Sequence, residues 1–254
     1  MGKIIAYINE KGGVGKSSIC YNVGWALAEQ GRKVLMVDLD GQRANLTFIA
    51  GIEKPEGLLT IADVLTSDLD VKQTVKVVED RLHIIPATDV VATLDKTAKV
   101  TRMEKAMDTL RPYYDYIFID VSPTPNRGHV LALSVADGVI IPMLPDVTSL
   151  EANMGVVDSI ALAQLQVNPG LKVYGVVLNK YTWRTLLSSQ VTATANKMAD
   201  AMDTKVFKTK IRQGVALSEN VGAHQGVTAY APRSKCAEDI LSLCREIEEV
   251  CNHE

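Results

Sequence analysis

Cysteine is scarce and poorly spaced for any structural role. Cys20, Cys236, Cys244 and Cys251 form no C-x-x-C pair, which excludes a disulfide framework and argues against a zinc or iron–sulfur site. Aromatic residues make up 5% of the 254 positions, too few to suggest a stacking platform for single-stranded nucleic acid. The formal charge is only −3, so the molecule as a whole is no electrostatic nucleic-acid binder, and such binding would need a local patch. No apolar run approaches the roughly 18 residues of a membrane span, and the apolar run at the start of the chain is too short for a signal peptide. Cytoplasm is the expected compartment. With no linker rich in Pro, Gly and Ser, no repeat and no low-complexity segment, one domain over 1–254 is expected.

What is present is an alternation of two periodicities. Short apolar, β-branched runs at 4–9, 33–38, 82–86, 116–120, 138–143 and 173–179 read as strands. Between them, residues 16–30, 60–65, 91–110 and 149–166 carry apolar positions at helical spacing. Strands apolar on both faces and separated by helices predict an α/β fold, a doubly wound, mostly parallel sheet with helices on both faces. Residues 205–250 read as one more strand, a short helix near 217–221 and a terminal helix after Pro232.

The first strand runs into Lys11-Gly12-Gly13-Val14-Gly15-Lys16-Ser17-Ser18 and then a helix. A glycine-rich turn between strand and helix lets backbone N–H groups and the helix dipole surround an anion, and phosphate is the expected guest. Lys16 would reach the β- and γ-phosphates and the Ser17 hydroxyl would ligate Mg²⁺. Position 10 is Glu where the ordinary Walker A spacing needs Gly, and a second lysine, Lys11, stands ahead of the glycines. Asp120, ending the run Tyr116-Ile117-Phe118-Ile119, has the placement of a Walker B carboxylate holding Mg²⁺ through water, a weak signal by itself.

These residues resemble the deviant Walker A motif of ParA/MinD-type ATPases, and the likeness, closest to the short Soj-like ParA proteins, extends from about Lys3 to beyond Cys236. It implies a P-loop ATPase that uses ATP and Mg²⁺ and forms a nucleotide-sandwich homodimer, in which Lys11 reaches the partner's phosphates. A cation supplied in trans would make charge stabilisation depend on dimerisation. Asp38-Leu39-Asp40-Gly41-Gln42 resembles the family's D-x-D-x-Q switch: Asp40 would orient the attacking water, and Asp38 would support the metal and lysine network. Pro123 occupies the family's D-x-x-P position after Asp120 and strengthens the metal assignment. Asn179 resembles the position that contacts the adenine edge, a plain strand-end turn being the other reading. A nitrogenase-reductase-like electron carrier would need cysteines in mid-chain, and none lies between Cys20 and Cys236.

Between Lys172 and Arg245 there are 11 Lys and Arg against 5 Asp and Glu. Lys205, Lys208, Lys210 and Arg212 fall in one acid-free stretch, with Arg184 a further candidate. Basic residues on one face would bind duplex DNA without reading sequence; a solvated charged face is the alternative. The resemblance implies nonspecific DNA binding by the ATP dimer and stimulation by a ParB-like partner. Ala216 stands where the family commonly carries a DNA-contacting arginine, so Arg212 and its neighbours compensate or affinity falls. The terminal helix is amphipathic with an acidic polar face, unlike the basic membrane-binding helix of MinD-type proteins, so no membrane partner is expected. With the phosphate loop starting by residue 11, no N-terminal helix-turn-helix domain is expected. A positioning ATPase for a protein cargo or the division machinery, without DNA, is the second functional reading.

Overall fold

Strands whose every residue is apolar or shielded can only sit in the middle of a covered sheet. The computed structural model describes residues 1–40, 45–53, 56–94, 98–145, 149–183 and 186–252. Its sheet has seven strands, β1 (Lys3–Tyr7), β2 (Val34–Leu39), β3 (Lys76–Glu79), β4 (Leu82–Ile85), β5 (Tyr116–Val121), β6 (Gly138–Met143) and β7 (Lys172–Leu178). They are ordered β3-β4-β2-β5-β1-β6-β7. All neighbours pair in parallel except β3 with β4. β2, β5 and β6 are buried along their whole length.

Alternate residues of each strand face opposite layers. Ile5, Tyr7, Met36, Phe118 and Ile140 point to one layer, formed by α1 (Lys16–Glu29) and α10 (Lys235–Asn252), with α2 (Asn45–Ile49), α8 (Ala216–Gly222) and α9 (Val227–Tyr230) beside them. Ile4, Ala6, Val37, Ile119 and Ile141 point to the other, covered by α3 (Ile61–Thr66), α4 (Val100–Leu110), α5 (Arg127–Val135), α6 (Ser149–Gln166) and α7 (Leu186–Ala201). α10 spends its apolar face, including Ile240, Leu243, Cys244 and Ile247, in the first of these layers. No helix among the described residues is long and apolar enough to cross a membrane.

Three expectations change. The helical stretch from 91 is a 3-10 turn at Asp89–Thr93 followed by α4 from Val100. The extra strand after 205 is only a pair of isolated bridges, Val176 with Val206 and Tyr181 with Arg212. β3, α5 and α7 were not anticipated.

Because the central strands are parallel, their carboxyl ends share one edge. The register sets Asp120 opposite both Tyr7 and Asp38, bringing the glycine loop after β1 and two carboxylates together.

Candidate functional site

The loop between β1 and α1 turns on two left-handed glycines, Gly13 (φ 74°) and Gly15 (φ 93°), a backbone geometry side-chain-bearing residues rarely adopt. Gly15 is also the N-cap of α1, and a Cβ there would collide with the Asn179 amide nitrogen. The loop opens on a cavity of about 520 Å³ walled by Lys16, Ser17, Ser18, Asp40, Phe48 and Pro123.

Lys16 is buried, 6% exposed, and its ammonium donates to the Asn9 carbonyl at 3.0 Å. Burial lowers its pKa, against Asp120 and Asp40, which raise it. Asp120 is fully buried, and neither carboxylate oxygen has a hydrogen-bond partner of regular geometry. Burial, then the Asp38 charge, push its pKa well up, while the Ser17 hydroxyl and Lys16 draw it down. An unsatisfied buried carboxylate is costly unless a cation or its water shell meets it. No group of three or more His, Cys, Asp or Glu is gathered for a metal among the described residues. The buried Asp120 carboxylate beside the Ser17 hydroxyl fits Mg²⁺, which takes few protein ligands and completes its shell with phosphate and water.

Asp38 accepts three hydrogen bonds from neighbouring chain segments. Oδ1 accepts from the Asp40 N–H (2.9 Å), and Oδ2 accepts from the Thr47 N–H (2.8 Å) and hydroxyl (2.6 Å). Burial lifts its pKa to about 6 despite those bonds. Asp38 therefore braces the chain on both sides of 41–44, a segment outside the described residues together with Gly41 and Gln42 of the switch motif. Asp40 is buried at 3% exposure and lines the cavity.

The Asn179 amide is bonded within the chain. Its Nδ2 donates to the Val14 carbonyl at 2.7 Å and its Oδ1 accepts from the Lys180 N–H at 2.9 Å. The amide is engaged in holding the phosphate loop against β7, with Lys180 Nζ 3.3 Å from the Gly13 carbonyl.

The four described basic candidates are not presented alike. Arg212 makes a forked ion pair with Asp239 (2.7 and 2.8 Å) and lies 4.8 Å over the Trp183 ring. Lys210 lies 4.3 Å over Tyr181, and Lys205 5.9 Å from the Phe207 ring centre. Glu246 accepts the backbone N–H groups of Lys208 and Thr209. Arg184 lies outside the described residues.

Sequence reasoning missed Asn9, Thr47, Asn22 and Asn220. Asn9 donates to the Pro142 carbonyl (2.7 Å) and accepts from the Lys11 N–H (2.8 Å). Asn22, one turn into α1, donates to the Ser18 carbonyl and accepts from Asn220 and from the Val227 N–H, tying the phosphate-loop helix to α8 and α9. Lone polar residues in apolar surroundings were the only signal.

Comparison with known proteins agrees with this geometry. The family model described as "AAA domain" matches residues 2–173. The sporulation initiation inhibitor protein Soj of Bacillus subtilis is 36% identical over 97% of this chain and 98% of its own. The chromosome partitioning protein ParA of Myxococcus xanthus is 31% identical over 97% and 88%. The septum site-determining protein MinD of Pyrococcus horikoshii, solved with Mg-ADP, superposes with a TM-score of 0.80 at 25% identity over 100% of this chain and 98% of that one. This chain belongs to the ParA/MinD-type family of P-loop ATPases.

Proposed function

We propose that this chain is an ATP-hydrolysing partition protein: ATP and Mg²⁺ close two copies face to face, the dimer holds duplex DNA nonspecifically, and a ParB-like protein stimulates hydrolysis and release. The observation that carries the reading is the fully buried Asp120 carboxylate, met by the Ser17 hydroxyl and the Lys16 charge, two residues that wall the cavity with the glycine loop, in a chain 36% identical to Soj over nearly its whole length. Ser17 would hold Mg²⁺ directly and Asp120 through water. When bound, the ion neutralises charge gathering on the phosphate oxygens. Gly12, Gly13, Val14, Gly15 and Ser18 frame the phosphates, Lys16 contacts them from within, and Lys11 reaches those of the second copy. Asp40 accepts a hydrogen bond from the attacking water and aligns it with the γ-phosphorus. Asp38 and Asn179 act indirectly, by bracing the switch and the loop.

Lys205, Lys208 and Lys210 supply the DNA phosphate contacts in this reading, the Arg212 charge being matched by Asp239. Three contacts per copy give a salt slope of roughly −5 for a dimer, at about −0.9 each. The test is a gel shift on nonspecific duplex with ATP and Mg²⁺ at several salt concentrations, alongside turnover of wild type and Asp40→Ala. Normal hydrolysis by Asp40→Ala removes the water-orienting role, and DNA binding that survives charge reversal of the three lysines removes the patch.

The Arg212–Asp239 pair, Glu246 beside Lys208 and Ala216 favour a second reading: a MinD-like positioning ATPase whose cargo is protein. Absence of any ATP-dependent shift at low salt would select it.

A further inference from the structure

We propose that Glu10 is the positioning residue for Lys11: it seats the root of that lysine on α6 through Ser159 and Gly155, so that Lys11 leaves the phosphate loop in a fixed direction. The inference rests on the dimer reading above. Ser159 Oγ donates to Glu10 Oε1 at 2.7 Å across 149 residues of sequence. One turn earlier, a Cβ on Gly155 would collide with Glu10 Oε2 and stand 2.9 Å from its carboxyl carbon. Glycine inside a helix is less favourable than alanine, and close approach of the Glu10 carboxylate accounts for it here. The seat has a counterpart on the other side. Asn9 is anchored to β6 by its bond to the Pro142 carbonyl, accepts the Lys11 N–H and offers its carbonyl to Lys16.

Residues 9 and 10 thus clamp the chain to β6 and α6 immediately before Lys11. After Lys11 come Gly12 and Gly13, which have no side chains to hold the loop. A lysine side chain carries large rotamer entropy, so a lysine acting across an interface gains most from a fixed root. Glu10, directly before Lys11, reaches α6 with its side chain.

The experiment compares Glu10→Ala, Glu10→Gln, Gly155→Ala, Ser159→Ala and Lys11→Ala for ADP affinity, ATP-dependent dimerisation by light scattering, and turnover. Glu10→Ala and Gly155→Ala are expected to lower kcat and dimerisation about tenfold with ADP affinity within about twofold, the split of a group acting only in the assembled state. Glu10→Gln keeps an oxygen that accepts the Ser159 bond and is expected to stay near wild type. Because Glu10 acts through Lys11, adding Glu10→Ala to Lys11→Ala is expected to cost nothing further. Ser159→Ala cuts the same bond from α6, shifts kcat in the same direction, and carries the test should Glu10→Ala fail to fold. Wild-type kcat in Glu10→Ala, ADP affinity falling in step with kcat, or additive losses in the double variant each overturn the inference. Wild-type dimerisation and turnover in Lys11→Ala would overturn the dimer reading, and the seat's function with it.

Discussion

Replacing Thr47 by valine keeps the shape of a fully buried side chain and deletes one hydroxyl. That hydroxyl donates to Asp38 Oδ2 at 2.6 Å and accepts from the Ala87 N–H at 2.9 Å. A bond to a charged acceptor is worth about 1.5–3 kcal/mol, and orphaning a buried N–H costs about 1–3 kcal/mol. The folded Asp38 pKa of about 6 lies above its ordinary 3.8, so its ionisation opposes folding. The associated stability is fully present below about pH 4 and is lost as pH rises through about 6, some 3 kcal/mol in all at about 1.4 kcal/mol per unit. The Thr47 hydroxyl is among the groups that pull that pKa down; without it the pKa rises further and the loss continues to higher pH. Urea unfolding of the nucleotide-free protein should therefore give a destabilisation of about 2 kcal/mol near pH 5, growing to about 4 kcal/mol near pH 8, read as a shifted midpoint at unchanged slope. A difference below about 1 kcal/mol, or one that does not change between the two pH values, would refute the bracing role assigned to Asp38.

Asp120→Asn removes a carboxylate whose charge burial and Asp38 disfavour and Ser17 and Lys16 only partly offset, so the nucleotide-free variant should melt a few degrees higher at neutral pH while its Mg²⁺-dependent turnover collapses; calorimetry and a phosphate-release assay check the two halves. Gly15→Ala meets both φ 93° and the Asn179 amide, and should cost about 2 kcal/mol or more in stability together with nucleotide binding. Arg212→Gln breaks the pair with Asp239, which is 8% exposed, and is expected to lower stability by about 1–3 kcal/mol with little change in the salt slope of DNA binding, because that charge is already matched.

The sheet was legible because its strands are apolar on both faces, and 138–143 coincides with β6. β3 escaped because Lys76-Val77-Val78-Glu79 is short, with Val77 69% exposed. α7, Leu186–Ala201, is rich in Ser, Thr and Ala, with few large apolar residues to mark a buried face. At the site, the glycine loop and the lysines announced themselves through spacing. The pairing of Asp38 with Asp120 across β2 and β5 follows from strand order, which no local pattern encodes. Asn9 and Thr47 were invisible for a related reason: each acts through a backbone group brought near by the fold. The basic stretch at 205–212 was legible as charge. The pairing of Arg212 with Asp239, from α10, was not.

The central claim is that ATP joins two copies through Lys11. Light scattering of the protein with ATP and Mg²⁺ tests it most directly. The account predicts that the 27.6 kDa chain doubles in mass with ATP and not with ADP, and that Lys11→Ala stays at the single-chain mass while still binding ADP. A wild-type protein that keeps its single-chain mass with ATP, or a Lys11→Ala protein that doubles as wild type does, would contradict it.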